Sequence, residues 1–195
     1  SVSHAAFRGG QCTPMNRSAL LRLTEIALLT ALLCLCAPYS FPVGPIPVTL
    51  ATFAVYLIGT LLPPVFAVQS VGVYLLLGLC GVPVFSGFRS GAGVLLGATG
   101  GYLIAYLPAA FLTAFLLRRP HPKLWQYPAA MLASTAVIYA IGTAWYILAT
   151  GTAFLPACLA CVVPFLPGDA LKIAAVTAIA PTLRRYLGRA IPSVR

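Results

Sequence analysis

The chain has 195 residues, of which 61 % are hydrophobic and 7 % charged, with a formal net charge of +10. A soluble domain carries about 25 % charged residues, and a domain of this length has too small an interior to hide so much apolar surface. The composition excludes a water-soluble globular fold, and the apolar runs are too many for one signal peptide.

Residues 1–14 are small and polar, without periodicity. Met15 reads as a natural start, so 1–14 is expected to be a flexible extension and 15–195 a single transmembrane domain. Six apolar runs follow, at about 19–37, 48–62, 64–80, 94–117, 128–149 and 168–187. A spanning helix needs about 20 residues. The second and third runs are short and meet at Pro63-Pro64; fused, they would make 33 residues, too long for a simple span. The first proline can close one helix and the second can open the next.

Charge decides the count. With six helices and an internal N-terminus, the cytoplasmic segments hold Arg8, Arg17, Arg22, Arg118, Arg119, Lys123, Arg184, Arg185, Arg189 and Arg195, leaving only Arg89 in an outer loop and Lys172 at a helix start. Five helices would strand seven basic residues outside, against the rule that Lys and Arg stay cytoplasmic. The expected fold is an all-α membrane protein of six transmembrane helices, both termini cytoplasmic, in the cell membrane. The basic residues are orientation signals in short polar segments rather than a face for nucleic acid.

The outer loops are 38–47, with four prolines, then 81–93 and 150–167. The first is stiff and extended. All are too apolar to lie free in water and are expected to fold down over the helices. That topology brings Arg89, Asp169 and Lys172 toward the outer face.

Asp169 is one of only two acidic residues, and it lies in an apolar run three residues before Lys172. On a helix the two charges share a face. An intramembrane charge costs about 2.5–3.5 kcal/mol on insertion scales and marks a functional site by default. Asp169 also reads as a first-turn cap after Pro167-Gly168, with Lys172 neutralising it. Arg89 offers a guanidinium fork for a carboxylate, or else a solvated loop cation. The three charges together point to a site for a small, mostly apolar anion. Tyr102 and Tyr106 share a helix face, with Tyr102 near that site.

Gly93, Gly97 and Gly101 recur every four residues and read as a close-packing helix face. Ala27 and Ala31 repeat the small-x-x-x-small spacing in the first helix, equally an internal face or a docking face for a partner. Glu25 and Arg22 read as a surface pair. No phosphate-binding G-x-x-x-x-G-K-[ST] loop occurs, His4 and His121 are the only histidines, and no second buried carboxylate stands beside Asp169. Metal ligation and acid–base catalysis are not expected, and uphill transport would take its energy from elsewhere. The six cysteines (12, 34, 36, 80, 158 and 161) read mainly as small hydrophobes. Cys158-x-x-Cys161 keeps an intramembrane thiol oxidoreductase as an alternative.

Four segments in order carry a resemblance: Gly44-Pro45-Ile46-Pro47-Val48-Thr49-Leu50; Tyr74 to Gly78 running on to Gly81-Val82-Pro83-Val84-Phe85; Gly97-Ala98-Thr99-Gly100-Gly101-Tyr102; and Pro164-Phe165-Leu166-Pro167-Gly168-Asp169 with Lys172. Over roughly residues 19–187 the chain resembles the BioY family, the biotin-binding membrane components of energy-coupling factor transporters. The resemblance implies six helices, biotin taken from outside as transported ligand, no cofactor and no catalysis. It also implies partners: a membrane coupling subunit, contacted through Ala27 and Ala31, and two cytoplasmic ATPases. Two positions depart from the family pattern, Ala51 for the usual glutamine and Ala98 for the usual proline. An amide missing at 51 would remove one hydrogen bond, about 0.5–1.5 kcal/mol. Asp169 suits the ureido N–H donors of biotin, and either Arg89 or Lys172 suits its carboxylate. An autonomous carrier of another small organic anion is the remaining alternative.

Overall fold

The computed structural model describes residues 17–41, 46–119 and 122–190; the expected extension at 1–14 lies outside them. In chain order come α1 (Arg17–Cys36), β1 (Ser40–Phe41), β2 (Val48–Thr49), α2 (Ala51–Leu61), α3 (Pro64–Leu79), a 3-10 turn (Ser86–Phe88), α4 (Ala92–Leu96), α5 (Gly100–Leu116), α6 (Gln126–Thr150), α7 (Phe154–Cys161) and α8 (Phe165–Ala190). The chain is mostly helical. The two short strands pair antiparallel, Ser40 opposite Thr49 and Phe41 opposite Val48.

The split at Pro63-Pro64 is where the sequence places it. Leu62 and Pro63 are extended (ψ 149° and 154°), and Pro64 opens α3 at its first position. A residue before proline is pushed out of the helical region, and a proline at N1 sacrifices no helical hydrogen bond. Gly151 ends α6 in the left-handed conformation (φ 69°), its N–H closing on the Ile147 carbonyl at 2.8 Å.

Two expectations need correction. The run 94–117 is not one helix: it breaks at Gly97, whose backbone is extended, into α4 and α5. The Trp145 indole N–H donates to the Gly97 carbonyl at 3.0 Å and the Gly100 N–H bonds it at 3.0 Å, so the break leaves that carbonyl satisfied. The glycine ladder therefore does not form one face. Only Gly101 meets a neighbouring helix, where an added Cβ would collide with the Trp145 side chain of α6; Gly93 faces open space. The segment 150–167 is also not a plain loop, since it folds into α7.

The core is organised around α5, which packs most extensively on α6 and also on α3 and α2, while α8 lies against α2. At Gly142 of α6 an added Cβ would strike the Tyr102 ring, the reciprocal of the Gly101–Trp145 approach. Buried hydroxyl pairs pin the interfaces: Thr30 with Ser70 at 2.9 Å (α1–α3), Tyr56 with Thr135 at 2.6 Å (α2–α6), and Thr113 with Ser134 at 2.6 Å (α5–α6). Each also settles polar atoms that burial would leave unpaired. Arg184 of α8 donates to the Leu117 and Arg119 carbonyls at 2.6 and 3.0 Å, covering the free end of α5.

The outer surface carries isolated large apolar side chains in quantity, among them Leu148 at 83 % and Leu171 at 73 % exposure. Among the described residues one helix, Gln126–Thr150, is long and apolar enough by itself to cross a bilayer; α2, α3 and α5 are apolar but shorter. The β hairpin meets the 81–91 loop: the Gly87 N–H donates to the Pro38 carbonyl at 3.0 Å and the Tyr39 and Phe88 rings meet edge-on.

Gly101→Leu is expected to force α5 from α6 and to destabilise the fold by about 1–3 kcal/mol, the usual cost of overpacking. Equilibrium denaturation of the purified variant beside the parent checks it.

Candidate functional site

The face of α8 that turns inward is set by spacing. Phe165, Asp169, Lys172 and Val176 follow one another at intervals of four, three and four, and all four are buried. Asp169 is 3 % and Lys172 8 % exposed, and their ion pair measures 2.9 Å.

No bond of this pair is left to chance. Lys172 Nζ donates to the Thr49 carbonyl at 2.7 Å, to Thr52 Oγ1 at 2.8 Å and to Asp169 Oδ1 at 2.9 Å. An ammonium has three donors, so all are used. Asp169 Oδ1 also accepts from the Thr52 hydroxyl at 3.3 Å, and Oδ2 accepts from the Tyr139 hydroxyl at 2.6 Å. A carboxylate offers about four acceptor positions. One remains, on Oδ2.

This cluster forms one wall of a cleft of about 550 Å³, counting its open mouth. Around it stand Tyr102, Leu103 and Tyr106 of α5, Ile138 and Tyr139 of α6, and Phe165 of α8, with Pro47 and Ser86 from the loops. Tyr102 lies parallel to Phe165 at 6.3 Å between centroids, and Tyr139 meets Phe165 edge-on at 6.3 Å. The Tyr102 hydroxyl pairs with Thr143 at 3.2 Å. A mostly apolar cleft with a few placed polar groups is the usual form of a small-molecule site. Ser86 Oγ is buried there without a hydrogen-bond partner among the described residues.

The sequence-derived residues separate into groups. Asp169, Lys172 and Tyr102 line one cleft. Arg89 does not line it; it sits on the adjoining turn, its Nε donating to the Ser86 carbonyl at 3.2 Å. Ala27 and Ala31 are exposed on α1, away from the cleft. Asp169 is not a first-turn cap, because α8 starts at Phe165 and the carboxylate bonds side chains of other elements. Tyr106, read with Tyr102 as a shared face, also lines the cleft. Cys34, Cys36 and Cys158 are half-buried free thiols and Cys80 is exposed. Thr49, Thr52, Tyr139 and Ser86 escaped sequence reasoning. Their residue types are unremarkable in helices and loops, and only the folding of distant segments together brings them to one cleft.

The family model of the BioY family matches residues 13–189. The chain is 39 % identical over 121 residues to the biotin transporter BioY of Thermotoga maritima, covering 62 % of this chain and 71 % of the relative. It is 38 % identical over 159 residues to the probable biotin transporter BioY of Pyrococcus horikoshii, covering 82 % and 93 %. Its fold superposes on the crystal structure of the S-component for biotin from an ECF-type ABC transporter with a TM-score of 0.79, at 29 % identity, over 87 % of this chain and 94 % of that one.

A buried ion pair is most costly when half of it is removed, about 3–5 kcal/mol, because the survivor is left charged and unpaired. Lys172→Met alone is expected to lose that much stability, whereas Asp169→Leu with Lys172→Met recovers most of it. Thermal and denaturant unfolding of the three proteins checks the cycle.

Proposed function

The chain belongs to the BioY family, and from that premise we propose that it is the biotin-binding membrane subunit of an energy-coupling factor transporter. It is a membrane protein whose relatives are biotin transporters. The six apolar runs each contain a helix, and we read α1, α2, α3, the α4–α5 pair, α6 and α8 as the spans, with both termini cytoplasmic. The subunit binds and releases its ligand unchanged.

The observation that carries the reading is the buried Asp169–Lys172 cluster, with one acceptor position open, beside an aromatic cleft. A ureido ring presents two N–H donors, and the free acceptor position on Asp169 Oδ2 receives one of them. The lysine holds the carboxylate ionised and in place; a charge-assisted hydrogen bond is worth about 1.5–3 kcal/mol. The Tyr102, Tyr139 and Phe165 rings suit a thioether ring, which gains from sulfur–aromatic contact. The sequence left two cations for the ligand's carboxylate. Lys172 has no donor to spare, so we assign the carboxylate to Arg89, whose Nη atoms are free of protein partners among the described residues. Ser86, on the same turn, has a hydroxyl to add.

The exposed face of α1 joins Ala27 and Ala31 to Leu20, Leu28 and Leu35. Small residues flanked by leucine let a second membrane helix approach closely. We assign this face to the membrane coupling subunit, with two ATPases behind it in the cytoplasm. Such a partner supplies the nucleotide hydrolysis for which this chain has no phosphate loop.

Detergent-purified protein is expected to carry biotin, detected by mass spectrometry, and to rebind it in calorimetry. Asp169→Asn is expected to weaken binding about 10- to 100-fold, the span of a lost charged hydrogen bond, with expression retained. Arg89→Gln is expected to weaken biotin more than an uncharged biotin amide. Parental affinity in the Asn variant would refute the site.

A further inference from the structure

The two hydroxyls bound to Asp169 have different tasks. Thr52 Oγ1 accepts from Lys172 Nζ at 2.8 Å and donates to Asp169 Oδ1 at 3.3 Å, so it shares the oxygen that the ammonium also holds. Tyr139 takes the other oxygen, donating to Oδ2 at 2.6 Å. Both acceptor positions of Oδ1 are thereby filled, whereas Oδ2 has one filled and one open. The direction of the short bond is fixed by the carboxylate, which has no proton to give while it is ionised.

Tyr139 and Asp169 line the same cleft, and the tyrosine ring meets Phe165 edge-on at 6.3 Å. That ring contact does not involve the hydroxyl, and phenylalanine would keep it. What the hydroxyl decides is how much of Oδ2 a ligand meets. It covers one carboxylate acceptor position and leaves in its place a neutral phenolic oxygen, a weaker partner for a cation. A second ligand donor arriving at this point would lose its charged acceptor inside an apolar cleft, where an unmet donor is costly.

We propose that Tyr139 is a specificity-determining residue: by covering one acceptor position of Asp169 Oδ2 it suits the site to a neutral cyclic urea and sets it against a cationic guanidino ring of the same shape. The inference rests on the biotin reading and deepens it. A cyclic urea brings one N–H to the carboxylate, flanked by a carbonyl that asks for no acceptor. A guanidino ring puts further N–H donors where that carbonyl stood and carries a positive charge. With both positions of Oδ2 open, the cation would use both; with Tyr139 in place it has one. Discrimination of this kind comes from the unmet donors of the wrong ligand as much as from contacts to the right one.

The test titrates the full chain in detergent with biotin and with iminobiotin, whose imino nitrogen replaces the ureido oxygen and makes the ring a cation at neutral pH. The parent is expected to prefer biotin. Tyr139→Phe is expected to shift the ratio of the two dissociation constants toward iminobiotin by about 10-fold, the worth of one charged hydrogen bond. Tyr139→Leu, which also lacks the hydroxyl, is expected to shift it in the same direction. Tyr56→Phe removes a buried hydroxyl bonded to Thr135 at 2.6 Å, between α2 and α6 and outside the cleft. It is expected to leave the ratio at its parental value, since loosened packing weakens both ligands alike. Desthiobiotin, with the same urea and no thioether, is expected to keep its parental ratio to biotin in Tyr139→Phe. A parent that prefers iminobiotin, an unshifted ratio in both Tyr139 variants, or an equal shift in Tyr56→Phe would overturn the assignment while leaving the biotin reading intact. A parent that binds neither ligand would remove that reading and this assignment together.

Discussion

The buried Asp169–Lys172 pair is the constraint on which the remaining architecture turns. Desolvating two charges costs several kcal/mol per ion, and only near-complete hydrogen bonding offsets it. The partners come from four places in the chain: the Thr49 carbonyl from β2, the Thr52 hydroxyl from the first turn of α2, the Tyr139 hydroxyl from α6, and the pair itself from α8. Any displacement of α2 or α6 from α8 by an ångström or two would strip the buried pair of the Thr52 or Tyr139 hydroxyl that helps to solvate it. The pair therefore selects one arrangement of three helices among the many that apolar packing alone would tolerate, since bulk lipid gives no hydrophobic reason to prefer one.

The short hairpin takes its meaning from this requirement. Two paired residues on each side are too few to be stable alone. They fix Thr49 immediately before α2, so that its carbonyl rather than a water meets Lys172. The prolines around the hairpin limit how far that carbonyl can wander. The site thus draws a rigid acceptor from backbone and a flexible donor from a side chain, which is the more economical way to hold a lysine still.

Much of this was legible in the sequence. Pro63-Pro64 announced two helices because proline chemistry is local, and the rarity of acid in an apolar chain singled out Asp169 with Lys172. What failed was what depends on distant partners. Gly93, Gly97 and Gly101 have helical spacing, yet the helix breaks at Gly97, where Trp145, 48 residues away, supplies a donor to the carbonyl that the break sets free. Asp169 looked like a cap because Pro167-Gly168 reads as a helix start, whereas α8 begins at Phe165 and accommodates both in its first turn. Thr52 and Tyr139 carry no signature at all. A hydroxyl becomes functional only through what lies opposite, and that is a property of the packing.

α8 shows how a single helix serves two environments. At about 100° per residue, Phe165, Asp169, Lys172 and Val176 lie roughly 150° around the axis from Ala170, Ala174, Ala178 and Pro181. The first set is large or charged and buried; the alanines of the second are exposed. Bulk on the inner face fills the cleft wall, and smallness on the outer face leaves a shallow apolar concavity against Leu124 and Leu132. Within the cleft the lysine is neutralised by protein and every donor is committed, leaving an acceptor for a ligand. A ligand that brings N–H groups fits that position, and the outer face of the same helix meets its surroundings through shape alone.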